Sequence, residues 1–204
     1  MWSRFLELHF GNVRTDSISH LSSASLFDCE VLIWSWDCLI QRPRFSLMNQ
    51  ESLLSQFEIL LPLAAAWATE QERKILRDGV SLSADEIADA RAIGTKEPDR
   101  VRLLRGERIP RPTPPQLRAA CDAIHFLTPA TRGLTLGYGI FIRSDCWGDR
   151  LLIVHELAHV AQYERLGGIL PFLRKYLFEC LTVGYAAAPL ELEATAVTVR
   201  VSAE

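Results

Sequence analysis

His155 and His159 stand one helical turn apart in Leu151 to Gly168, LLIVHELAHVAQYERLGG, and no other stretch restricts the fold so tightly. At about 100° per residue the two imidazoles lie about 40° apart on one face, and Glu156 falls within about 60° of His159. Leu152, Gln162 and Tyr163 share that arc. Ile153, Val154, Leu157, Ala158, Val160 and Ala161 make the far side apolar. Such a segment reads as a helix with a buried back and a polar front. Two neutral imidazoles at this spacing chelate a metal such as zinc, and the carboxylate after the first can take a proton from water held there. An amphipathic helix with two incidental histidines is the weaker reading, because all three motif residues fall on the polar arc. Gly167-Gly168 offers the left-handed residue that ends a helix.

The remainder must supply a core for the apolar back and a third ligand. A chain of 204 residues suffices for one sizeable domain, and 49% hydrophobic with 23% charged residues is a globular composition. A net charge of −3 gives no global field for nucleic acid or an anionic membrane. Arg100, Arg102, Arg105, Arg108 and Arg111 crowd one stretch without interleaved aromatics, the pattern of a solvated face. Cys29, Cys38, Cys121, Cys146 and Cys180 are odd in number and form no C-x-x-C pair. Free thiols in a reducing, cytoplasmic compartment are expected. Cys146, just before the motif helix, reads as a buried or idle thiol rather than as a group that blocks the metal. The longest apolar stretch, Ile59 to Ala68, holds Pro62 and is shorter than a membrane span. The N-terminus has no signal-peptide pattern.

Residues 1–47 lack sustained periodicity and read either as a poorly ordered arm or as a segment preceding a true start at Met48. A single domain over 48–204 is expected, with a helical part over 48–95 and the metal-site core over 96–204. From Gln50 to Arg77 the apolar residues recur at helical steps, with Pro62 dividing or kinking the run. Ser83-Ala84-Asp85-Glu86 is a capping box for a short helix. Val101 to Leu104 reads as a strand, and a helix follows from Pro115 to about His125. Leu134 to Ile142 is β-rich but interrupted by Gly137 and Gly139. Within it, Tyr138 to Ile142 is either an exposed edge that pairs with a peptide or a plain structural strand. Two helices close the chain, from Leu170 to Val183 and from Pro189 to about Arg200.

An open zinc site needs a third protein ligand. No histidine follows His159, leaving Glu164, Glu179, Glu191 and Glu193. Glu164 points away from the metal arc. Glu191 and Glu193 lie about 200° apart on the last helix, so one at most reaches the site. Glu191 shares its face with Ala194, Thr195 and Thr198, small residues that let helices approach, and is the expected ligand.

With these residues in place the chain resembles the gluzincin metallopeptidases, where H-E-x-x-H gives two ligands and a glutamate on a later helix the third. Glu191-Leu192-Glu193-Ala194 looks like the Glu-x-x-Ala pattern of ImmA/IrrE-type and CAAX-type proteases. His155 to Gln162, HELAHVAQ, is similar to the helix of the peptidase domain in extracellular contractile injection systems. Related patterns often place Asp or Asn after that alanine, where this chain has Thr195. The resemblance covers about residues 100–200 and rests on about a dozen positions. It implies an α+β, zincin-like minimal metallopeptidase fold, mostly helical with a small sheet beside the motif helix. It further implies a Zn2+ cofactor on His155, His159 and Glu191, Glu156 as general base, and a peptide or protein substrate. Tyr163 and Tyr185 are the candidate donors to the oxyanion. A metal-stabilised binding module that no longer turns over substrate is the alternative.

Overall fold

The computed structural model describes residues 47–202, so the readings of residues 1–46 lie outside the described residues. Helix α1, Leu47–Asp78, carries Pro62 inside it and is not divided there. Pro62 lies on the exposed side, where a carbonyl deprived of its N–H partner can turn to water. Phe57, Leu61, Ala68 and Ile75 form the buried stripe. Because the helix is continuous, Glu51–Asp78 is long and apolar enough to cross a membrane by length and composition. The short apolar run around Pro62 is thus only part of a longer apolar helix.

Four strands form one mixed sheet: β1 (Val80–Ser81), β2 (Arg102–Gly106), β3 (Gly133–Leu136) and β4 (Gly139–Arg143), in the order β1-β2-β4-β3. β2 and β4 run parallel, with Leu103 opposite Ile140, and the other pairs are antiparallel. The glycine-interrupted run is therefore a hairpin. Gly137 opens its two-residue turn at φ +65°, and the amide of Tyr138 donates to Glu72 at 2.9 Å. Tyr138 to Ile142 is not an exposed edge: β4 lies between β2 and β3, and Ile140 and Ile142 are fully buried. The edge strands are β1 and β3.

Helix α2 (Ala84–Ala92) has the expected capping box, with Ser83 and Glu86 each bonding the other's amide. Helix α3 (Pro115–Ala123) follows the proline-rich connection. Helix α4 (Arg150–Leu166) is the motif helix, capped by Asp149 on the Leu152 amide and ended by Gly167 at φ +89°. Helices α5 (Ile169–Val183) and α6 (Pro189–Ser202) complete the unit.

The apolar back of α4, through Ile153, Leu157 and Val160, packs on Val101, Leu103, Ile140 and Ile142 of the sheet side. A second cluster joins α1 to α5 through Phe57, Leu61, Phe172, Leu173 and Tyr176. Val154 and Ala158 of α4 meet Ala194, Val197 and Val201 of α6. The architecture is α+β, mostly helical with a small mixed sheet. Its polar α4 face is left between the β3 edge, α5 and α6.

Candidate metal centre

On α4 the two imidazoles converge, with His155 Nε2 3.2 Å from His159 Nε2. From α6, Glu191 Oε2 lies 3.3 Å from His155 Nε2, and Oε1 lies 3.3 Å from His159 Nε2. Zinc bonds of about 2.0–2.1 Å in tetrahedral geometry imply ligand–ligand edges of about 3.3 Å. The donor set of three and its spacing fit that ion. His159 and Glu191 are buried and His155 is the more open member.

The α4–α6 contact explains why Glu191, not Glu193, faces the histidines. Turning about the α6 axis from Glu191, Ala194 comes at about 60°, Val201 at about 80°, Val197 at about 120° and Glu193 at about 160°. Ala194, Val201 and Val197 are the buried stripe, so the two glutamates flank it. Glu193 takes the other flank and pairs with Arg165 at 2.6 Å. The stripe is not the one expected from sequence: Thr195 is exposed and Thr198 half-buried, while Val197 is in the contact. Glu164 is occupied elsewhere, accepting from the amides of Lys96 and Glu97. Glu179 accepts from the Leu190 amide at 3.0 Å, at the first turn of α6.

Charge at the centre is strongly coupled. Burial opposes ionisation of Glu191, yet the hydrogen bonds and charge of His155 and His159 hold its carboxyl well below the usual range. Burial likewise disfavours the His159 cation, but the Glu191 carboxylate outweighs it and raises the imidazole to about 9. The His159 proton and the Glu191 charge thus stabilise each other. The Tyr176 hydroxyl donates to Glu191 Oε1 at 2.6 Å, and burial first, then the Glu191 charge, keeps that phenol protonated. The His159 ring is walled by Phe172 and Tyr176, at centroid distances of 6.3 and 5.7 Å.

Glu156, the expected base, is buried beside this cluster, and desolvation raises its carboxyl against the opposing charges of His159 and His155. Two β3 residues hold it. Thr135 Oγ1 is 2.6 Å from Glu156 Oε2, and Gly133 leaves room for the carboxylate.

The two tyrosines diverge. Tyr185, half exposed, feels the charge of the cluster: burial first, then the Glu191 and Glu156 carboxylates, raise its phenol well above the ordinary value. Tyr163 is not brought to the centre: its ring packs edge-on against Tyr138 at 5.3 Å, and its charged neighbours are Glu72, Arg100, Glu164 and Glu97. A further turn along α4 carries it past the ligands to the sheet side. Cys146 accepts from Arg132 Nε at 3.0 Å and is not among the clustered ligand atoms. The arginines of the basic stretch are engaged locally, Arg100 over the Tyr138 ring and Arg105 on the Ser144 carbonyl. Thr135, Tyr176 and Gly133 were not singled out from sequence, since each acts across a long loop or between elements. Comparison of the chain with protein-family models, with curated proteins and with solved structures found no match.

Proposed function

We propose that this chain is a zinc-dependent metallopeptidase of minimal zincin-like, gluzincin-type fold. The observation that carries the reading is the His155–His159–Glu191 cluster, with its 3.2–3.3 Å edges, beside a buried Glu156 that is not one of the ligands. A site that only stabilised the fold would have no use for a carboxylate buried at that place. Zinc held there supplies an acidified water and polarises the scissile carbonyl. Glu156 takes a proton from the attacking water and passes it to the leaving amine. Its raised carboxyl favours taking up the proton, and Thr135 holds Oε2. Tyr185, half exposed and coupled to the Glu191 charge, is the candidate donor to the oxyanion. Among the described residues β3, beside Glu156, has a strand neighbour on one side only, and an extended peptide can add to its other side as a strand.

Purified protein should carry about one zinc per chain. Glu156→Gln should retain it and lose peptide hydrolysis, because it removes the proton carrier and keeps the ligands. Protein that takes up no zinc under non-chelating conditions would sink the reading. Zinc-loaded protein inert on a broad peptide library would favour a metal-stabilised binding module.

A further inference from the structure

Gln162 is fully buried on α4, and its amide spans the space between the two ligand-bearing helices. Its Oε1 lies 2.8 Å from His159 Nδ1, and its Nε2 donates to the Leu190 carbonyl at 2.9 Å. The same amide faces Glu193, whose carboxyl it helps to lower after the Arg165 pair and against burial. A carbonyl and a carboxylate can only accept, so the NH2 group must point at Leu190 and Glu193. Oε1 is then left for His159, and Nδ1 must carry a hydrogen. That leaves Nε2 as the nitrogen able to bind a cation, and Nε2 is the atom turned toward His155 and Glu191.

Leu190 immediately precedes Glu191. Its amide is held by Glu179 and its carbonyl by Gln162, so the residue that launches the third ligand is held at the peptide groups on both its sides. One neutral side chain therefore sets the tautomer of the second ligand and the position of the third. Thr195, on the same helix as Glu191, is exposed and cannot orient a buried imidazole.

We propose that Gln162 is the positioning residue of this centre, joining His159 to the Glu191 helix and preorganising both for a zinc ion. The inference rests on the metal reading given above, except for its tautomer part, which holds in the metal-free protein as well. Groups that orient ligands in this way typically cost 10–100-fold in metal affinity when removed.

The test uses the full chain, with histidine side-chain 15N NMR on metal-free and zinc-loaded protein and zinc affinity from chelator competition. Wild type should show a slowly exchanging Nδ1 hydrogen on His159 in both forms. Gln162→Leu should lose that protection and bind zinc about 10–100-fold more weakly. Gln162→Glu keeps an acceptor for Nδ1 but sets an oxygen against the Leu190 carbonyl. It should keep the protected hydrogen and still lose affinity, and it carries the test if the leucine variant does not fold. Ile75→Val, a packing change on α1, should leave zinc affinity within about twofold. Wild-type affinity in Gln162→Leu, an equal loss in Ile75→Val, or zinc on His159 Nδ1 would each overturn the proposal. Wild type that binds no zinc removes the metal reading, and exchange of the Nδ1 hydrogen then still decides whether the clamp exists.

Discussion

Gly133 of the edge strand and Glu156 of the motif helix approach so closely that no side chain fits between them. A Cβ at Gly133 would stand 2.7 Å from Glu156 Cδ and closer still to Oε1. The obstacle is the end of a flexible side chain, so the fold can yield by moving the carboxylate. Gly133→Ala is therefore expected to fold and bind zinc like wild type while hydrolysis falls at least tenfold. Gly79→Ala is the contrasting case. Its Cβ would meet the backbone oxygens of Ile75 and Leu103 at 2.6 and 2.8 Å, which cannot turn aside. A loss of about 1–3 kcal/mol is expected there, read as a lower thermal midpoint. If Gly133→Ala keeps full activity, Glu156 is not the base.

Thr135 gives the second hold on the same carboxylate. Its single hydroxyl hydrogen has two acceptors in reach, Glu156 Oε2 at 2.6 Å and the Glu156 carbonyl at 3.0 Å. Thr135→Val keeps the shape and removes the donor. A hydrogen bond to a charged group contributes about 1.5–3 kcal/mol, so kcat should fall about 10–100-fold. Zinc affinity should not change, because Thr135 touches no ligand. Equal loss of zinc and activity would mean that β3 supports the whole centre rather than the base.

Stability of the metal-free protein should fall between about pH 6.5 and 9. His159 is raised from 6.5 to about 9 in the fold, burial resisting and Glu191 prevailing. The stabilisation that its charge contributes is complete below 6.5 and is lost as pH rises through 9. Glu191, held below its ordinary 4.5, stays ionised across this window and adds no slope. Burial raises Glu156, so keeping it unprotonated in the fold becomes costly above 4.5, in the same direction as His159. Zinc bound through His159 Nε2, as proposed, would replace its proton, so the zinc-loaded protein should lack this decline. Thermal midpoints of both forms across the range would show it, and a flat metal-free profile would contradict the coupling.

What could be read from sequence was what lies within one helix. His155, Glu156 and His159 share a turn of α4, so their juxtaposition follows from 3.6-residue periodicity alone. The Ser83–Glu86 capping box and the Gly167 stop are equally local. Strand order is not, because the parallel pairing of β2 with β4 joins residues far apart in the chain. For that reason β4 could be taken for an edge when it lies inside the sheet, with β1 and β3 at the edges. Gln162 stood on the predicted arc, but its acceptor and donor partners belong partly to α6, and only packing reveals them. Tyr163, predicted on that arc as well, is claimed by the aromatic contact with Tyr138.

The assignment of the third ligand is open to direct measurement. Glu191 and Glu193 flank one buried stripe of α6, and each already has a partner set that defines its role. Glu191 meets both histidines and accepts from Tyr176 in a buried setting. Glu193 meets Arg165 with both side chains about half exposed, a pair whose loss typically costs no more than about 1 kcal/mol. Glu191→Gln keeps the volume but removes the charge that the two histidines and the cation require. It should lower zinc affinity by at least the 10–100-fold that loss of an orienting group costs. Glu193→Gln should leave occupancy unchanged within about twofold and shift the thermal midpoint by a few degrees at most. Competition against a chromogenic zinc chelator reads both variants on one scale. Loss of zinc in Glu193→Gln with retention in Glu191→Gln would mean that α6 is rotated from the placement described, and the cluster would have to be reassigned.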